Sequence, residues 1–194
     1  MSMSTESHIV LIDMDSTLFD FEAPINRALA NCGIALADPT SHFYIAERYQ
    51  DQAVIELIHS TQNDQGFFRD LSPIPGAIKS WNELRELGYH PRICSKPLRA
   101  NPYCVEEKLA AIDYYFGPEA ADTAYIGRDK ESEKGIALID DRPGLTDGTY
   151  WKRIIYTQPW NQHENGLRIN SWEDQSLQRI LADCAKRYEQ LFSH

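Results

Sequence analysis

Apolar residues along this chain fall into short unbroken runs and longer stretches with helical spacing. The run Ile9-Val10-Leu11-Ile12 has no polar position, as expected of a strand covered on both faces in a parallel sheet. "GIALIDD" and "RIIYT" repeat that character, and "YHPRICS" and "TAYIG" read as further strands. Helical spacing follows the first run in "FEAPINRALANCG", with Pro24 near its start and Gly33 as its stop. "SPIPGAIKSWNELRELG" places Pro75 near a helix start and Gly88 just past its end, and "NPYCVEEKLAAIDYYFG" closes on Gly117. From Asp38 to Leu71 the pattern stays helical and aromatic, as in "SHFYIAERY" and "QAVIELIHS", with no strand signal. "SWEDQSLQRILADCAKRYEQLF" reads as a terminal helix capped by Ser171.

Strands and helices that alternate in this way predict an α/β fold, a doubly wound parallel sheet with helices on both faces. The helical stretch that interrupts the alternation straight after the first strand predicts a small helical cap over the carboxyl edge of the sheet. The expected division is a catalytic core from residues 1–20 and 73–194, with residues 21–72 as the cap. Repeats, low-complexity tracts and long Gly/Ser linkers are absent from the sequence.

Composition narrows the function classes. In 194 residues, 42% hydrophobic and 25% charged is ordinary globular content. A formal net charge of −10 argues against a general nucleic-acid binder or a partner of anionic membranes, while leaving room for a local basic cluster that takes a small anion. No apolar run approaches the ~18 residues of a membrane span. The four cysteines show no CxxC spacing, and "MSMSTES" resembles neither a signal peptide nor an Arg-rich transit peptide, so reduced thiols and a cytoplasmic location are expected. The six histidines lack HxH or HExxH spacing and read as surface or packing residues.

Two apolar runs end in paired acids, Asp13 and Asp15 after the first, Asp140 and Asp141 after "GIALI". Each pair alone also reads as a helix cap or a solvated turn. Together they bring several negative groups to one sheet edge, an arrangement that is costly unless a cation sits among them. Oxygen-only ligands suit a hard ion, and Mg²⁺ is the usual choice beside a phosphate. Ser95 ends the strand "RICS" at the same edge, and Lys108 and Lys130 supply cations that, placed between acidic strand ends, read as phosphate clamps.

D-x-D-x-T at Asp13, Asp15 and Thr17, then Ser95, Lys108 and the Asp140-Asp141 pair, in that order, resemble the four motifs of the haloacid dehalogenase superfamily. The fold implied is that superfamily's Rossmannoid core. Within it the chain is most similar to the 5'(3')-deoxyribonucleotidases. "DMDSTLFDFE" resembles that family's "DMDGVLADFE", and "FFRDLSPIPGA" resembles its "FFxxLxPLPGA". "ICSKP", "YCVEEK", "RDK" and "LIDDRP" also have counterparts, so the resemblance runs to about Trp172.

The resemblance implies a Mg²⁺-dependent phosphatase acting on nucleoside monophosphates, those of deoxyribose foremost. Asp13 would be the nucleophile that becomes an aspartyl-phosphate. Asp15 would protonate the leaving oxygen and then activate water, while its main-chain carbonyl binds the metal. Asp13, Asp15 and Asp141 would form the metal site with Asp140 in support. Ser95, Lys96, Lys108 and Lys130 would bind phosphate, and Phe21, Phe43 and Tyr44 would hold the base. From pattern alone, Phe43 and Tyr44 read more readily as core residues of the cap than as substrate contacts, and only the resemblance turns them toward the base. Two departures stand out. Ser16-Thr17 replaces the family's Gly-Val, and Lys96 stands where the family commonly has Ser, which bears on which esters are accepted. The partner expected is therefore a small phosphate ester, with no nucleic acid or membrane, and a homodimer is left open. A phosphatase of the same fold acting on another small ester, and a non-catalytic Mg²⁺- or phosphate-binding regulator, are the alternative functions.

Overall fold

The computed structural model describes residues 8–192. Its centre is a six-stranded parallel sheet of β1 (Ile9–Ile12), β2 (His90–Ser95), β3 (Tyr125–Ile126), β4 (Ala137–Asp140), β5 (Lys152–Tyr156) and β6 (Leu167–Ile169). The strand order is β3-β2-β1-β4-β5-β6, so the chain builds outward from β1 on one side and then crosses back to β4 on the other. That reversal beside β1 is the switch point at which open α/β sheets bind ligands.

Register fixes what meets there. Ile12 pairs with Ile93 on β2 and with Ile139 on β4. Asp13 therefore leaves β1 level with Asp140, and its amide donates to the Ile139 carbonyl at 2.8 Å. Ser95 ends β2 opposite Ile126 of β3. The alternation of side chains along β1 also divides the core. Val10 and Ile12 join the larger apolar cluster, while Ile9 and Leu11 pack with Cys94, Leu138 and the fully buried Trp151.

Among the described residues, six α-helices accompany the sheet: α1 (Glu22–Asn31), α2 (Gln52–Asn63), α3 (Ala77–Glu86), α4 (Cys104–Phe116), α5 (Pro118–Thr123) and α6 (Ser176–Phe192). Helix α1 is started by Asp20, whose carboxylate accepts from the Ala23 amide at 3.0 Å, and α2 by Asp51, which accepts from Ala53 at 2.8 Å. Gly76 precedes α3 with φ of 84°, and a β-carbon there would lie 3.1 Å from Trp172 Cβ, so glycine is required on both counts.

The sequence pattern and the structure part at three places. Residues 38–51 do not continue a helix and hold only a 3₁₀ turn, Ile45–Arg48. Asp38 turns the chain by accepting from both the amide and the hydroxyl of Thr40, and Arg48 folds back onto the carbonyls of His42 and Phe43. Helix α6 begins at Ser176, because Trp172 is drawn into the core, stacked on Tyr156 at 5.4 Å with its indole N–H on the Thr17 carbonyl at 2.7 Å. Asp174, not Ser171, takes the Ser176 amide. The short elements α5 and β6 carry no periodicity long enough to announce them. Among the described residues no helix is long and apolar enough to cross a membrane, and all four cysteines are free.

Candidate active site

The turn after β1 is a tight knot of main-chain bonds. The amides of Leu18 and Phe19 both reach the Met14 carbonyl at 2.9 Å, and the Ser16 amide reaches the Phe19 carbonyl at 2.8 Å. Ser16 adopts φ of 57°, the one left-handed non-glycine residue among those described, at the position where the resembled motif carries Gly. Its carbonyl accepts from Gln158 Nε2 at 2.6 Å, so the strain is held from the β5 side.

This turn and the ends of β2 and β4 surround two buried lysines. Lys130 Nζ lies 2.5 Å from Asp13 Oδ1 and 2.7 Å from Asp140 Oδ2. Burial alone would lower its pKa, but the charges of Asp13 and Asp140 outweigh it and hold the ammonium strongly protonated. Asp129 and the Trp151 indole, which donates to the Lys130 carbonyl at 3.3 Å, fix the turn that presents it. Lys108, on α4, has no exposed side-chain surface. Its ammonium donates to Asp15 Oδ2 at 2.6 Å, Ser95 Oγ at 2.9 Å and the Lys96 carbonyl at 3.0 Å, above the Phe68 ring. All its protons have acceptors within the protein.

Carboxylate oxygens of Asp13, Asp140 and Asp141 lie within 4.8 Å of one another. Asp141 Oδ1 accepts from Thr17 Oγ1 at 3.3 Å, while Oδ2 is buried with no hydrogen-bond partner. Burial first, then the charges of Asp140 and Asp13, push the Asp141 carboxyl well up, and burial also raises Asp140. An orphaned acidic oxygen beside like charges is the donor set a hard divalent cation satisfies. The Asp15 carboxylate stands outside this cluster and faces Lys108.

The acids open into one cavity of about 930 Å³, within the range of small-molecule sites. Asp13, Asp15, Ser95, Lys96, Lys130, Asp140 and Asp141 line it together with Phe21, Phe43 and Tyr44. Of the residues singled out from sequence, Lys108 and Thr17 lie behind the wall rather than in it. Lys96 is exposed, Phe21 rests against Phe67 and Phe68, and Tyr44 is 55% exposed.

Other wall and support residues escape a sequence reading. Trp160, in "TQPWNQ", meets Phe43 edge-on at 5.9 Å and donates its indole N–H to the Asp141 carbonyl at 3.3 Å. An aromatic just past a strand end was its only signal. Glu107, beside Lys108, accepts from the amides of Gly66 at 2.5 Å and Phe68 at 3.2 Å, and so anchors the Phe67-Phe68 floor under Phe21. Nothing in "YCVEEK" separates Glu107 from the exposed Glu106.

The sequence pattern of the family described as "5' nucleotidase, deoxy (Pyrimidine), cytosolic type C protein" matches residues 7–187. A relative from Bordetella bronchiseptica is 35% identical over 175 residues, covering 86% of this chain and 92% of its own length. The human mitochondrial 5'(3')-deoxyribonucleotidase is 33% identical over 180 residues, 85% of this chain and 78% of that protein. The human cytosolic-type 5'(3')-deoxyribonucleotidase is 31% identical over 179 residues, 85% of this chain and 89% of that one. Among solved structures, a haloacid dehalogenase family hydrolase from Deinococcus radiodurans superposes with a TM-score of 0.56 at 16% identity, over 93% of this chain and 97% of the other, and it shares the fold.

Proposed function

The chain belongs to the deoxy (pyrimidine) cytosolic type C 5'-nucleotidase family, and from that membership we propose that it is a Mg²⁺-dependent phosphoric monoester hydrolase acting on deoxyribonucleoside monophosphates. One observation carries the reading. A single cavity is lined both by the acid–lysine–serine cluster and by the aromatic side chains of Phe21, Phe43, Tyr44 and Trp160.

In this mechanism Lys130 occupies Oδ1 of Asp13, which leaves Oδ2 as the nucleophile. Oδ2 forms a bond to phosphorus as the bond from phosphorus to the ester oxygen breaks, giving an aspartyl-phosphate and a free nucleoside. Asp15 supplies the proton to that departing oxygen. It then takes a proton from the water that attacks the aspartyl-phosphate, restoring Asp13 and releasing inorganic phosphate. Asp15 Oδ1, buried and without a partner, is the atom that carries the proton. Ser95, Lys96 and Lys130 orient the phosphate oxygens and offset their charge, while Lys108, behind the wall, fixes Asp15 and Ser95 and adds its positive charge to the site. Asp13 and Asp141, the Asp15 main-chain carbonyl and a supporting Asp140 would hold Mg²⁺, whose contribution is to offset repulsion between carboxylate and phosphate. The segment 21–72 serves as the cap that brings Phe43 and Tyr44 to the base.

The test is a panel of deoxyuridine and thymidine monophosphates, a ribonucleotide, a sugar phosphate and an aryl phosphate, with wild type and Phe43→Ala. Stacking on one aromatic is worth ~1–3 kcal/mol, so Phe43→Ala lowers kcat/KM for nucleotides about tenfold or more and spares the aryl phosphate. A sugar phosphate preferred over every nucleotide would leave a phosphatase of other substrate class.

A further inference from the structure

Arg48 packs against the Phe43 loop and Trp160 of the cavity wall, and its side chain is 3% exposed. Its Nη1 and Nη2 donate to Glu22 Oε2 and Oε1 at 2.9 and 2.7 Å, a two-pronged pair across the base of α1. Its Nε donates to the His42 carbonyl at 2.8 Å, and Nη2 also reaches the Phe43 carbonyl at 3.4 Å. The guanidinium carbon stands 5.3 Å from the centroid of the Trp160 ring, and Phe43 meets that same ring edge-on. Trp160 belongs to the segment after β5 and is fastened to the main chain of Asp141.

These contacts share a purpose. The loop that carries Phe43 has no regular element before Ile45, so its own backbone bonds do not fix the ring. Arg48 supplies the missing fixings, to the carbonyls on either side of the Phe43 α-carbon. It also ties the loop to α1 through Glu22 and to the core through Trp160. We infer that Arg48 is a positioning residue for substrate specificity, which sets the Phe43 ring against Trp160 so that the cavity is shaped for a base before substrate arrives. The inference rests on the nucleotidase reading, because a substrate without a base gains nothing from that ring. Only arginine offers both the planar fork for Glu22 and a flat face for Trp160. A lysine at this position keeps the charge and loses both geometries.

The experiment compares steady-state kinetics of wild type, Arg48→Lys and the double variant Glu22→Gln/Arg48→Gln on thymidine monophosphate and on an aryl phosphate. The double variant leaves no unpaired buried charge, so it stays folded if loss of the single arginine does not. A thermal melt of each protein accompanies the kinetics. The expected result is a KM for the nucleotide raised about tenfold, the value of one lost stacking platform, with kcat held and the aryl phosphate unaffected in Arg48→Lys. Equal loss on both substrates in a folded variant, or nucleotide kinetics unchanged in both variants, overturns the assignment and leaves Arg48 a structural ion pair. A wild type that cleaves the aryl phosphate but no nucleotide overturns the base-binding reading itself, and this inference with it.

Discussion

Lys130 holds Asp13 at 2.5 Å while keeping Asp140 at 2.7 Å with a second proton, so one buried ammonium balances acids from two different strand ends. Three carboxylates crowd this spot, and the cation is what lets them share it. Lys130→Met would leave Asp13 and Asp140 facing each other with no compensation. The expected cost is about 3–5 kcal/mol in metal-free protein, the range for removing one partner of a buried pair. Mg²⁺ should recover part of it by taking over the charge. Urea denaturation with chelator and with Mg²⁺ checks both halves. Equal losses in the two conditions would separate Lys130 from the metal cluster.

Asp13→Asn and Asp15→Asn preserve shape and remove, respectively, the proposed nucleophile and the proposed proton carrier. Both should lose several orders of magnitude in phosphate release, Asp13→Asn beyond the ~10²–10⁴ that acid–base assistance alone supplies. Asp15→Asn should additionally accumulate phosphoryl-enzyme if its water-activating role is slowed more than its acid role. Intact-mass measurement on acid-quenched enzyme shows that adduct. An Asp13→Asn protein with a tenth of wild-type activity would exclude the covalent route.

These residues were legible from sequence because each sits at the end of an unbroken apolar strand, where a carboxylate has no packing reason to be. Asp13, Asp140 and Ser95 needed only the strand ends and parallel register to come together. The same logic fails where long-range tertiary contacts override local pattern. "SHFYIAERY" has helical spacing, yet Arg48 spends its donors on His42, Phe43 and Glu22 and draws the segment into a loop. Trp172 sits in a helical pattern, but its place under Thr17 delays α6 to Ser176. Glu107 reads as one more surface acid on a helix until the 66–68 loop is seen to close over it. Partners distant in sequence leave no periodicity to read.

The acidic cluster carries a pH signature. Burial and neighbouring charge raise the Asp141 and Asp140 carboxyls above their ordinary range, so the fold favours their protonated forms. For a raised carboxyl the stability contribution is complete below the unfolded value, ~3.9, and fades as pH climbs through the folded value. Metal-free protein should therefore lose this contribution on alkalinisation across that window. Mg²⁺ needs the ionised groups, so the rise in Tm it produces should grow over the same window and vanish in acid. Asp141→Asn should stabilise the metal-free protein and blunt the Mg²⁺ effect. Melting curves across pH, with chelator and with Mg²⁺, give the comparison. A Tm gain from Mg²⁺ independent of pH would remove Asp140 and Asp141 from the site.

Ser16 offers the last test, because it occupies a left-handed conformation that its side chain resists. With φ of 57° it incurs ~1–2 kcal/mol relative to a residue free of a β-carbon. Replacement by glycine removes that strain but frees the unfolded chain, at a cost of ~0.4–1 kcal/mol. Ser16→Gly should thus stabilise by up to about 1.6 kcal/mol, whereas Ser16→Val should destabilise, since branching at Cβ worsens the clash. The turn carries Asp13 and Asp15 and is held by Gln158 on the Ser16 carbonyl, so neither change removes a hydrogen bond of the main chain. Activity should separate the two effects. Ser16→Gly keeps the turn and its rate, while Ser16→Val shifts the turn and lowers kcat along with Tm. A glycine variant less stable than wild type would mean that the serine side chain compensates its own strain.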